Sequence, residues 1–322
     1  EQTNARYRNA ARTDYPFHER LVHFWSNHFA VSADKQPMPA IAGLYENEAI
    51  RPNVTGNFAD LLIACEQHPA LITYLDNQRS IGPNSTLGRR ANRARNDRTI
   101  GLNENLAREI LELHTLGVDG GYTQDDVTTF AKVITGWSVG GATENGRFAD
   151  GTPGTFEFRE LIHEPGTHRV LGKRYSQSGV DQGEAVLRDL ALHPSTARFL
   201  ATKLATHFVA DQPPVALVDE LAATYLEQGG ELVPVYEALV GADAAWTDLH
   251  SKYKSPHDFV ISTLRAFDHV PDDTRFIVGA LDLMGQAPFR PGSPAGWPDT
   301  ACLLYTSPSP RDKALYLVCR LL

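Results

Sequence analysis

GLNENLAREILELHTLG, residues 101–117, decides how this chain reads. Placed on a helical wheel at about 100° per residue, Leu102, Leu106, Ile110, Leu113 and Leu116 share one side. Glu109 falls between Leu116 and Leu102, inside the apolar stripe, with Asn105 and Glu112 on its shoulder. Glu104, Arg108 and Glu112 are spaced four apart and predict an ion ladder on the next face. Gly117 follows at the position where helices commonly stop.

The same periodicity extends outward in both directions. In RLVHFWSNHFAV (residues 20–31), Leu21, Phe24, Trp25 and Phe29 define the apolar side, and His28 projects between Leu21 and Phe24. His23 and Asn27 point elsewhere on that wheel. Further helical stretches are predicted over residues 41–51, 58–76, 195–210, 215–228, 232–241 and 275–284. Thr123 with Asp126 forms a capping box ahead of Val127, Phe130, Ala131 and Ile134. Ser255, Pro256 and Asp258 open another helix as cap, first residue and third residue. Residues 80–99, rich in Arg and Asn, read as an exposed loop. Between residues 139 and 175 Gly and Pro rise, and TFEFREL and HRVLGKRY alternate as short strands do.

The fold class expected is therefore mainly α: a multi-helix, bundle-like domain with a small irregular or β-hairpin insertion around residues 139–175. An N-terminal helical lobe takes residues 1–138 and a C-terminal one residues 176–301, packing as one unit. Residues 302–322, CLLYTSPSPRDKALYLVCRLL, do not read as a continuation. Their first half resembles translation of a sequencing-library adapter, so the tail is expected to be non-native and the chain a fragment at both ends. Without that tail Cys65 is the only cysteine, which excludes an internal disulfide framework and a thiolate zinc knuckle.

The formal net charge of −9 argues against nucleic acid as a partner, which would select a basic face. Mean hydropathy is −0.30, and no apolar run is long enough to span a bilayer. Serine hydrolysis has no support, because no serine sits in a G-x-S-x-G elbow, and Gly140-Gly141 is not followed by a phosphate-loop pattern.

Two helices thus each carry one ionisable residue, His28 and Glu109, where core residues are expected. A buried unpaired charge costs several kcal/mol, so such residues find partners, and the economical expectation is that these two meet. Three readings stay open. The pair is structural; or His28 and Glu109, with Glu112 or His114, ligate a divalent metal, the set His28, Glu109 and His114 being the nearest to a ligand group; or His28, Glu109 and Glu112 do acid–base catalysis with shifted pKa values. His163 and His168 in the HEPGTH loop, and Asn105, are further candidates.

These segments together resemble the bacterial family known as domain of unknown function 1800. The resemblance rests on LVHFWSNHFAVS, GLNENLAREILELHTLGVDGGYTQDDV, HEPGTHRVLGKRY, HPSTARFLATKLATHFVAD, KSPHDFVISTLRA and LMGQAPFRPGSPAGWPD, and runs from about residue 15 to 301. His28, Asn105, Glu109, Glu112 and His114 all fall inside its motifs. It implies an exported protein, periplasmic or extracellular, commonly encoded beside a sulfatase-like exported family. Two functions follow as expectations: an envelope enzyme, metal-dependent in one version, acting on a polymer through a buried His/Glu cluster; or a non-catalytic assembly or export partner of the sulfatase-like protein. Solvent access to Glu109 separates the two.

Overall fold

The structure is a computed structural model that describes residues 2–94, 101–141, 150–246, 252–268 and 273–300. The tail assigned to residues 302–322 lies outside the described residues. The fold is mainly α, with two small antiparallel strand pairs among the described residues. In chain order the helices are α1 (Gln2–Arg12), α2 (Pro16–His28), α3 (Met38–Tyr45), α4 (Phe58–Glu66), α5 (Pro69–Tyr74), α6 (Thr86–Ala94) and α7 (Asn105–Glu109). They continue as α8 (Gln124–Val133), α9 (Val180–Ala191), α10 (Pro194–Phe208), α11 (Val215–Glu227), α12 (Leu232–Gly241), α13 (Pro256–Ala266) and α14 (Arg275–Leu283). The strands are β1 (Trp137–Val139), β2 (Phe156–Phe158), β3 (His168–Val170) and β4 (Lys173–Tyr175).

The chain divides into two compact units, interleaved in sequence. The first comprises residues 1–46, 200–224 and 234–322, the second residues 47–199 and 225–233. In the first, α1 packs on α3 and α13, and α13 on α14. Tyr7, Val260, Ile277 and Leu281 form a core cluster there. The Trp25 indole donates to the Tyr236 hydroxyl at 2.7 Å, so a buried polar tip is satisfied within the same unit.

In the second unit α4 packs on α9, α7 on α8, and α8 on β3. Phe58, Leu62, Ile110, Phe130 and Trp137 are fully buried. The expected capping box is present: Thr123 Oγ1 accepts from the Asp126 N–H, and the Asp126 carboxylate accepts from the Thr123 N–H at 2.9 Å. HRVLGKRY forms the β3–β4 hairpin, with Leu171 at φ 47° and Gly172 at φ 78° in its two-residue turn. Both central residues at positive φ mark the turn type that matches strand twist. TFEFREL supplies β2, which pairs with β1.

One expectation is overturned nearby. Residues 80–99 are not a loop throughout, since α6 occupies 86–94, while 95–100 lie outside the described residues. The Ser85 hydroxyl accepts from the Gly88 N–H at 3.0 Å, an N-cap that satisfies a donor the helix start leaves open. Arginine tolerates helix well, so polarity alone did not exclude one.

Candidate functional site

The helix over residues 101–117 forms, but not as a uniform α-helix. From Ile110 to His114 it is a π-helix. The Leu116 N–H bonds to the Leu111 carbonyl at 3.0 Å, five residues back, and Thr115 Oγ1 donates to the Ile110 carbonyl at 2.6 Å. Each such turn holds one extra residue, and turns of this kind cluster at functional sites. A 100° wheel loses register where it begins.

The consequence is a change in which polar residue enters the core. Leu106, Ala107, Ile110, Leu111, His114 and Leu116 are buried, whereas Leu102, Glu109 and Leu113 are only half-buried. Glu109 is therefore not sealed inside the stripe; the wholly buried ionisable residue of this segment is His114. The ion ladder is also cut short. Arg108 pairs with Glu104 at 3.1 Å, but the π turn carries Glu112 out of line, and Glu112 sits beside the Tyr122 hydroxyl instead. Asn105 is exposed at the helix start, its N–H bonded to Asn103 Oδ1.

His114 meets Glu66, the last residue of α4: Nδ1 to Oε1 is 2.8 Å, and both side chains are wholly out of water. Burial raises the Glu66 pKa, with His114 pulling against it. Glu66 Oε2 is buried and accepts no hydrogen bond among the described residues. Glu109 interacts electrostatically with both members of this pair. Burial raises its pKa, His114 and Arg108 oppose the rise, and the charges of Glu112 and Glu66 add to it. No hydrogen bond or ion pair fixes its carboxyl among the described residues.

His28 behaves as its wheel position predicts. It is 1% exposed, surrounded by the rings of Phe24, Trp25 and Phe29. One of its partners is Lys203 of α10, whose Nζ lies 3.0 Å from His28 Nδ1. Burial brings the Lys203 pKa down to about 8, so the ammonium gives up its proton more readily than usual. His28 belongs to the first unit and Glu109 to the second. Among the described residues no group of three or more His, Cys, Asp or Glu side chains is placed to hold a metal ion.

The HEPGTH loop divides. His163 is buried and its Nδ1 lies 2.8 Å from the Thr135 carbonyl, while His168 is half-buried on β3. Glu164 is buried too, clasping Asn84 through its N–H at 2.7 Å and its side-chain amide at 2.6 Å. These contacts tie loop to loop.

Glu66 and Lys203 escaped the sequence reading. Glu66 lies on the apolar side of α4 with Leu62 and Cys65, the same signal that marked Glu109, and that signal was legible there. Lys203 falls in a helix with polar residues on several faces, Thr196 wholly buried among them, and nothing local marks it. No helix of the described residues is long and apolar enough to cross a membrane. No curated protein and no solved structure matches the chain. The sequence does match the family described as "Protein of unknown function (DUF1800)" over residues 1–308, and the chain belongs to that family.

Proposed function

We propose that the protein is an enzyme of the bacterial envelope that acts by acid–base catalysis on an envelope polymer, with Glu109 as the proton-exchanging residue. The observation that carries this reading is the position of Glu109. It is partly open to solvent, and its carboxyl interacts electrostatically with both members of the dry Glu66–His114 pair. A carboxyl with a raised pKa holds its proton closer to neutral pH, as a general acid requires. Glu112, with Tyr122 beside it, is the second carboxylate available on the same segment.

In this scheme Glu109 gives its proton to the leaving group, and Glu112 takes one from the incoming water. The Glu66–His114 pair touches no substrate; it holds the π turn and sets the field at Glu109. No step is routed through a metal ion. Placement in the envelope rests on the resemblance to exported proteins alone. The alternative, a non-catalytic assembly partner of a sulfatase-like protein, expects the polar cluster to be sealed, and the half-exposed Glu109 counts against it.

The test compares wild type with Glu109→Gln on purified bacterial envelope polysaccharide, following new chain ends by a reducing-end assay. Wild type releases ends, and the variant is slower by roughly 100- to 10,000-fold, the usual worth of a positioned acid. Folded wild type that releases no more than the variant sinks the proposal.

A further inference from the structure

The first unit holds a cavity of about 390 Å³, lined by α2, α13, His207 of α10 and residues 252–254. That volume lies within the range of roughly 300–1,000 Å³ typical of small-molecule sites. His23 of α2 and His257 of α13 are brought together by tertiary packing. His257 Nε2 lies 2.8 Å from His23 Nδ1, across 234 residues of sequence. On its far side His23 Nε2 faces Glu19 Oε1 at 3.5 Å, and Glu19 Oε2 accepts from the Asn9 amide at 2.6 Å.

This order sets the protons. An ionised Glu19 favours the proton on His23 Nε2, which makes His23 Nδ1 an acceptor. His257 then donates through Nε2, and its Nδ1 carries the lone pair. Glu19, buried and engaged from both sides, is occupied with that task.

The charge balance of the wall is the second observation. Arg20, Lys252, Lys254 and Arg265 line the cavity against the two carboxylates Glu19 and Asp258, in a chain of net charge −9. Arg265 is committed to the carbonyls at the end of α1, and Lys252 to Asp211 at 2.9 Å. Arg20 stands 3.9 Å from Asp258 with its guanidinium over the Phe208 ring, and Lys254 reaches Ser262. These two cations keep donors for a guest.

The titrating groups report the same field. Burial, then the Arg6 charge, pushes His257 down to about 3. Burial works to raise Asp258 and Asp299, yet both stay below the usual carboxylate range, chiefly through His207, which lies 2.9 Å from Asp299. Ala10, Pro16 and Ile261 add an apolar flank.

We propose that this cavity is a binding site for a small organic oxyanion, a carboxylate or a phosphate monoester, held by Arg20 and Lys254 beside the apolar flank of Ala10, Pro16 and Ile261, with the His23–His257 pair closed on itself in the wall. It is separate from the reading of Glu109 and stands without it.

The experiment is a calorimetric titration of the whole chain with two probes, benzoate and phenyl phosphate, at low salt. At least one binds at a single site, with Kd between about 10 μM and 1 mM. Arg20→Gln weakens it by about ten-fold or more, the worth of a charge-assisted contact. Lys254→Met, at an exposed position that folding does not depend on, weakens it in the same direction. Glu109→Gln binds as wild type does. Folded wild type that binds neither probe up to about 10 mM overturns the proposal, as does binding that Arg20→Gln and Lys254→Met both leave unchanged.

Discussion

His114 Nδ1 and Glu66 Oε1 lie 2.8 Å apart with both side chains wholly excluded from water. The contact joins the end of α4 to the π turn after α7, across 48 residues of sequence. An ion pair or a shared proton at such a site adds little over well-packed apolar residues, but losing one partner strands the other.

Breaking this pair from one side is therefore costly. His114→Ala leaves the Glu66 carboxyl dry and unpaired and lowers stability by about 3–5 kcal/mol. The double variant Glu66→Leu/His114→Leu recovers most of that loss. Urea unfolding of the two variants beside wild type measures both. A double variant as unstable as the single one contradicts the stranded-charge account.

Glu109 makes stability depend on pH in a definite direction. Its folded pKa lies above the unfolded value of 4.5. The folded state thus binds the proton more tightly, so this contribution is fully present below about pH 4.5 and is lost as pH rises through the folded pKa. Glu109→Gln keeps the neutral form at every pH. It is expected to be more stable than wild type at about pH 8 and equal to it at about pH 4. Unfolding curves at both pH values decide, and an equal difference at the two refutes the raised pKa.

Asp126 serves two structures at once. One carboxylate oxygen completes the capping box with Thr123, and the other accepts from the Leu171 N–H in the β3–β4 turn at 2.7 Å. Thr123→Ala loses the cap alone, about 1 kcal/mol. Asp126→Ala loses cap and turn anchor together, and is expected to cost about 2 kcal/mol. Amide exchange separates them: only Asp126→Ala exposes the hairpin amides. The folded pKa of Asp126 is depressed, its hydrogen bonds outweighing burial. That stability is present above the unfolded value of 3.8 and fades as pH falls through the folded pKa.

Leu171 occupies φ 47° in a two-residue turn, a conformation that asparagine tolerates better than leucine. Leu171→Asn, which makes the turn Asn-Gly, is expected to stabilise the protein by about 0.5–1 kcal/mol. A rise in thermal midpoint checks it, and a fall assigns the half-buried Leu171 side chain a packing role that outweighs its backbone strain.

What was legible in the chain was local. Thr123 with Asp126 and Ser255 with Asp258 announce helix starts, because their hydrogen bonds close within three residues. HRVLGKRY announces a hairpin for the same reason, and His28 shows as buried because α2 is a regular helix over its whole length. Family membership was also readable, since long motifs survive whatever the tertiary packing does. The Ser85 cap was not legible, because the polar, Arg- and Asn-rich residues after it have no apolar stripe to mark a helix.

What the sequence could not decide was where periodicity fails and which distant residues meet. The π turn at Ile110–His114 adds a residue to the turn, exchanging Glu109 for His114 at the core face. Glu66 became its partner across 48 residues, and His257 met His23 across 234. A helix wheel sums backbone geometry over a few residues and assumes one pitch. Pairing between distant side chains is chosen by packing and by the cost of leaving buried polar groups unsatisfied, and these exist only once the chain has folded.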